Sequence, residues 1–360
     1  PPTPLNPSLL VLLGMVAVSL AATFDVNFSL GKVSGVVLGV LVFWAITRWV
    51  TTRTRLGVAI AGFVLAGSAL AVLGLVGTNW IAKFPVLAGV IERLPKAIRG
   101  LPGAEEGFQP NGVAGCLVLF VPLQAALLVG GAHGWLRLRQ PSERRGRWVI
   151  VVQALLLTLT AGTLVLTQSR GAWFGLIVAT VGALAWHGRA GRRLAVVLVG
   201  GVVATAIAIG PARVFNLAIS QAGPGVAGNV SGRMELWSRA IYGIQDFPFT
   251  GMGMNAFRKV MPVLYPTFLT SPDVDVAHAH NHLLQAALDL GIPGLIAYAA
   301  IWLTVAALLV NVHRRSSERA YRVVASGLGA GLIAHFVFSM TDAIALGAKA
   351  SVLFWFTLAL

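Results

Sequence analysis

The sequence predicts an all-α fold, a polytopic transmembrane helical bundle of about ten or more spans with one large extracytoplasmic loop. Hydrophobic residues make up 57% of the chain and charged ones only 11%, whereas a soluble domain is usually about a quarter charged. Apolar runs recur at roughly 17 to 25 residues, the length that a helix needs to cross about 30 Å of hydrocarbon. Basic residues collect in alternate connections between those runs, as a single threading of the membrane requires.

The runs lie near 9–24, 30–47, 57–76, 112–135, 148–167, 171–187, 194–210, 292–311, 323–341 and 344–360. The opening PPTPLNPS lacks the basic n-region of a signal peptide, so the first span is expected to be retained. The chain begins abruptly there and ends within an apolar run at Leu360, so ten spans is read as a lower bound. Four short connections hold Arg48, Arg53 and Arg55; Arg137, Arg139, Arg144, Arg145 and Arg147; Arg189, Arg192 and Arg193; and Arg314, Arg315, Arg319 and Arg322. These are more than half of the 27 basic residues and nearly all of the formal +15 charge. The positive balance therefore reports orientation, and no nucleic-acid partner is expected.

With those connections cytoplasmic, the loops near 24–30, 77–111, 167–171, 211–281 and 341–345 lie outside. The expected organisation is a bundle over 1–210 with a smaller outer loop at 77–111, the large loop over 211–281, and a C-terminal bundle over 282–360. Cys116 reads as a small buried hydrophobe, and a lone cysteine allows no disulfide within the chain. Asn27-Phe-Ser29 and Asn229-Val-Ser231 fit the glycosylation sequon, a pattern short enough to arise by chance.

In the 77–111 loop, VLAGVIERL predicts a short helix on the membrane surface, and the mixed charges otherwise read as a solvated connector without chemistry. In the large loop, Ser231 is a candidate N-cap for a helix from about Gly232 to Gln245, with Met234, Trp237, Ile241 and Ile244 as its apolar stripe. Glu235 and Arg239 stand at i,i+4. Arg233 has no acidic residue at that spacing and lies in the first turn, where the positive dipole end suits an anion. Snorkelling of Arg233 to lipid head groups is the competing reading. GMGMNAF lacks the strand and third glycine of a dinucleotide site and reads as a turn.

A second helix is predicted over AHAHNHLLQAALDLG, with Asp275 as candidate N-cap and Gly291 and Pro293 as its stop. His278, His282, Gln285 and Asp289 would share one polar stripe, with His280 pointing elsewhere. Three imidazoles of a His-X-His-X-His run converge on a metal only if the segment is extended. On a helix they do not, so an acid–base histidine, structural histidines and a metal site all stay open. Arg170, in TQSRGAWFG, stands at the outer edge between two spans, either snorkelling or facing an anionic ligand. His335 lies inside a span, where lining a cavity or bonding to a neighbouring helix would explain it.

GRMELWSRAIYGIQDFPFTGMGMNAF, then Tyr265, then AHNHLLQAALDLGIPG, resembles the conserved segment of the O-antigen ligase and O-antigen polymerase superfamily, and SRGAW looks like a second hallmark. The resemblance covers roughly a quarter of the chain. It implies a GT-C-like fold and transfer of a glycan from an undecaprenyl-pyrophosphate donor on the outer face of the bacterial inner membrane, without metal or cofactor. The acceptor would be lipid A core in a ligase or another carrier-linked glycan in a polymerase; an O-oligosaccharyltransferase or a lipid-linked glycan flippase are the alternatives. The family's arginines fall on Arg170 and Arg233, and its histidine on His280. Arg239, His278, His282 and Tyr265 are further candidates for binding substrate. Asp289 departs conservatively from the glutamate that relatives often carry.

Overall fold

The computed structural model describes residues 2–102, 104–134, 143–186, 188–210, 230–269 and 275–360. Arg137, Arg139, Asn229 and the loop residues 211–229 lie outside them, as do the side chains of Glu143, Arg144 and Arg145. The described chain is all-α, its only β pairing two isolated bridges. Among the described residues nine helices precede the large loop: α1 (Asn6–Ala22), α2 (Val26–Trp49), α3 (Arg53–Gly77), α4 (Pro85–Ile91), α5 (Pro110–Leu117), α6 (Val121–Ala132), α7 (Glu143–Leu166), α8 (Arg170–Trp186) and α9 (Gly188–Ile209). Then come α10 (Val230–Asp246), α11 (Phe257–Leu264), α12 (His282–Arg315), α13 (Arg319–Ser339) and α14 (Val352–Ala359).

Seven helical stretches among the described residues are long and apolar enough to cross a membrane, counting α5 and α6 as one. Shorter apolar helices occupy the other three predicted runs, at Asn6–Ala22, Arg170–Trp186 and Lys349–Ala359. The length criterion thus supports seven spans and leaves the count of ten unestablished. Local chemistry explains several helix starts. Asp25 accepts the Phe28 N–H at 3.2 Å ahead of α2, and Thr52 caps α3 through the Arg55 N–H. In the outer loop the predicted short helix is α4, with Val86 and Val90 exposed.

The chain forms two compact units. One comprises Val50–Gly200, Ala306–Phe338 and Leu360. Within it, the buried Gln168 side chain accepts the Lys83 and Phe84 N–H groups at 2.8 and 2.7 Å and donates to the Ile81 carbonyl at 3.1 Å. This fastens the outer loop to the turn that precedes Arg170, and Phe84 stacks on Trp173. His335 Nδ1 bonds to the Gly115 carbonyl at 3.2 Å, the helix-to-helix role expected of it. Cys116 is buried and free.

The other unit comprises Pro1–Trp49, Gly201–Val305 and Ser339–Ala359. Here α2 packs against α14, with Trp355 fully buried against Gly39. The GMGMNAF segment is a turn, as expected, with Gly251, Gly253 and Asn255 all at positive φ. Ser19 and Ser29 clamp it onto the α1–α2 hairpin, binding the Met254 N–H and carbonyl at 2.8 and 2.7 Å. Gly251 also lies so close to Asp289 and Gly291 that a Cβ there would come within 2.7 Å of their backbone.

Three local expectations are corrected. Helix α10 runs from Val230, so Ser231 lies in its first turn instead of capping it. Its buried face carries Gly232, Leu236, Ala240 and Gly243, while Met234 and Ile241 are exposed. The small residues win that face because the backbone is pressed against Met252 and Leu288. Helix α12 starts at His282, capped by Asn281, whose Oδ1 accepts the Leu283 and Leu284 N–H groups at 3.0 and 3.1 Å. Asp275 instead pairs with Arg258 at 2.9 Å. Gly291 does break the helix, at φ 70° and ψ 178°, although a second helical stretch continues to Arg315.

Candidate active site

The late start of α12 decides the histidine geometry. Residues 275–281 are irregular instead of helical, so their side chains are not bound to helical spacing. Ala279 is fully buried in the core formed by Leu236, Ala240, Met252, Phe257, Met261 and Leu288, and its N–H donates to Gln285 Oε1 at 2.8 Å. Pinned there, it projects His278 and His280 together to the opposite side, their rings 4.5 Å apart. His280 takes a left-handed conformation, φ 52°, which costs a non-glycine residue about 1–2 kcal/mol. His282, already on the helix, turns away. It bonds to the Tyr298 hydroxyl at 3.0 Å and meets Trp302 edge-on, buried on all sides.

Facing the histidine pair is Asp342, in the segment between α13 and α14, a residue that the sequence reading did not select. Its Oδ1 lies 3.1 Å from His280 Nδ1, with side-chain exposures of 21% for His280 and 14% for Asp342. Burial alone would push this carboxyl up. The hydrogen bond and charge of His280, together with His278 and Arg233, outweigh that and hold it below the ordinary carboxylate range. A carboxylate accepts only, so Nδ1 of His280 carries the proton, and in the neutral ring Nε2 is left as the basic atom. His278 is held down to about 3, first by burial, then by His280, with Lys32 and Arg258 adding to the effect and Asp342 opposing it. It is neutral at ordinary pH. Its Nδ1 accepts the His280 backbone N–H at 3.2 Å, which puts its own proton on Nε2.

His278, His280 and Asp342 offer ligand atoms within 4.8 Å of one another, close enough for a metal by distance. The expectation that the histidines could not converge is corrected for this pair, because the segment is not helical. The surrounding charge nevertheless favours an anion, since Arg233 acts on Asp342, and Lys32 and Arg258 act on His278. A dication would be repelled by Arg233 and Lys32, whereas Arg258 is paired with Asp275.

Other expected residues stand apart from this cluster. Arg239 Nε donates to the Pro266 carbonyl at 3.0 Å, and its guanidinium lies over Phe268. Glu235 reaches Arg239 only at 4.0 Å and accepts the Phe268 and Leu269 N–H groups. Tyr265 bonds to Asp246, and burial followed by that carboxylate pushes its phenol up to about 12. These residues brace the segment after α11, and no described interaction joins them to the histidines. Arg170 is the first residue of α8, in the other unit.

A search of curated proteins found no match. Residues 154–299 match the family model described as O-antigen ligase. The stretch includes Arg170, Arg233, His278, His280 and His282 and excludes Asp342 and Lys32. Apolar helices of spanning length support a multi-pass membrane protein, and the matched segment is similar to membrane enzymes of O-antigen ligase or polymerase type. The matched segment, carrying the histidines and the arginine of the cluster just described, supports placing the chain in the O-antigen ligase and O-antigen polymerase superfamily.

Proposed function

We propose that the chain is a glycosyltransferase that moves a glycan from undecaprenyl pyrophosphate to an acceptor hydroxyl on lipid A core, at the periplasmic face of the inner membrane. The observation that carries this reading is His280 held by Asp342 at Nδ1 beside the cationic Arg233. His280 Nε2 takes the proton of the acceptor hydroxyl as its oxygen attacks the anomeric carbon. The bond from that carbon to the pyrophosphate oxygen breaks, the leaving group keeps the electron pair, and the configuration inverts. Arg233 binds the pyrophosphate and stabilises the charge that grows on it, and Arg170 is assigned the same role from the resemblance. Asp342 is a positioning residue, fixing ring orientation and tautomer and stabilising the imidazolium. No metal is required in this scheme.

Reconstitution with a carrier-linked glycan and separate acceptors tests it. A single transfer onto lipid A core is the expected result, abolished by His280→Ala with donor binding intact. Polymer growth without any core would instead make the chain a polymerase, and full activity of His280→Ala would overturn the mechanism.

A further inference from the structure

Lys32 stands in the second turn of α2, inside an apolar run, where an ionisable side chain is costly unless it has a partner or a function. Its Nζ is buried and makes no hydrogen bond among the described residues. The fold nevertheless brings it to the cluster by two routes. Ser29, one turn earlier on α2, binds the Met254 carbonyl in the turn that packs against Asp289 and Gly291. On the other side, the segment that follows Asp342 lies directly on α2. A Cβ on Gly347 would come within 2.0 Å of the Lys32 carbonyl oxygen, and one on Gly35 within 2.1 Å of the Gly347 oxygen. Lys32 is accordingly close enough to act electrostatically on both His278 and Asp289, without an ion pair to either.

A buried ammonium is costly without a counter-charge in contact. Asp289 is not in contact with it: its Oδ1 accepts from Gln285 Nε2 at 2.8 Å, and its Oδ2 makes no hydrogen bond among the described residues. The histidine beside Lys32 is neutral, the carboxylates of Asp342 and Asp275 are already engaged by His280 and by Arg258, and Arg233 adds a further cation. Such surroundings are satisfied by an anion from outside the chain. We propose that Lys32 is a further anion-binding side chain of this site, its ammonium contacting the pyrophosphate of a lipid-linked donor held with Arg233. The assignment rests on the donor proposed above and adds the N-terminal helix hairpin to the binding machinery.

The test is binding of farnesyl pyrophosphate, farnesyl monophosphate and inorganic pyrophosphate to the full chain in detergent. Losing one charge-assisted contact is expected to weaken farnesyl pyrophosphate about tenfold to hundredfold in Lys32→Met, while Lys32→Arg retains most of the affinity. The salt dependence of binding should become shallower in Lys32→Met. Without ligand, Lys32→Met should melt at or above the wild-type temperature, because it removes an uncompensated charge. If it does not fold, the affinity ratio between Lys32→Arg and Lys32→Gln carries the same test. Unchanged farnesyl pyrophosphate affinity in Lys32→Met overturns the proposal. So does recovery of that affinity on adding Asp289→Asn, which would make Lys32 a structural counter-charge to Asp289. If Arg233→Ala weakens binding and Lys32→Met does not, only the role of Lys32 falls. If neither variant weakens it, the donor reading falls too. Equal losses for inorganic pyrophosphate and farnesyl pyrophosphate place the contact on the phosphates, and a loss confined to farnesyl monophosphate would contradict it.

Discussion

His280 and His282 are separated by one asparagine, yet they belong to different structures. His280 ends an irregular segment that buries Ala279 and displays His278 and His280. His282 opens α12 and is enclosed by Tyr298 and Trp302. The boundary is Asn281, which caps the helix through Oδ1 and donates from Nδ2 to the Met340 carbonyl at 3.3 Å. Where a helix begins therefore determines which histidine faces a carboxylate and which an aromatic box. Sequence proximity by itself does not separate a working imidazole from a packing one.

The largest effect should fall on His280. Removing a general base loses about 10²–10⁴-fold in rate, so His280→Ala should nearly abolish glycan transfer in vesicles while retaining farnesyl pyrophosphate binding. His282→Phe keeps an aromatic ring against Tyr298 and Trp302 and should retain most of the activity. Equal losses in both variants, each still folded and binding the probe, would erase the distinction between the two regions.

Asp342 comes next. Asp342→Asn leaves the shape but replaces an acceptor-only group with an amide, so the His280 tautomer is no longer fixed. A loss of about 10²-fold in kcat with little change in KM is expected. Asp342→Glu should recover part of it. A change confined to KM would instead place Asp342 in binding.

Much of the fold was legible because membrane helices are written in long apolar runs and Arg-bearing connections. The GMGMNAF turn and the break at Gly291 were equally open to reading, since glycine most easily takes such backbone angles where two segments touch. Asp342 was not legible. It lies 62 residues beyond His280 and meets it only through the fold. Lys32 was absorbed into an apolar run, although a charge there is itself a signal. The errors at Ser231 and Asp275 share one cause, that several residues near a helix start can serve as caps and the tertiary core selects among them. Ala279 docking between α10 and α11 excludes helix before Asn281, and that selection turned a supposed helical stripe into a pair of converging imidazoles.

The boundary itself can be moved. Asn281→Ala removes a cap, worth about 1 kcal/mol, together with the link to Met340, so the melting temperature should fall by a few degrees. Asn281→Asp restores the cap acceptor but not the donor to Met340. If transfer is impaired in Asn281→Asp while the melting temperature recovers, the Met340 link positions Asp342 independently of the helix start. Full recovery of both would assign the effect to the cap alone.

The smallest effect near neutral pH belongs to His278. Its folded-state pKa, about 3, lies below the ordinary value near 6.5. Between those values the unfolded chain binds more protons than the native one, so stability rises with pH. The contribution is fully present above about 6.5, begins to fade as pH falls below that point, and is lost near 3. At pH 6 the loss is under about 1 kcal/mol and grows with further acidification. His278→Asn, neutral throughout, should flatten the melting-temperature profile between pH 4 and 6.5. Asp342, whose carboxyl is also held down, gives its stability up only from the ordinary carboxylate range downward, so above about pH 4 the His278 slope stands apart. If the slope between pH 4 and 6.5 is unchanged in His278→Asn, His278 contributes nothing there, and the neutral partner assigned to His280 is wrong.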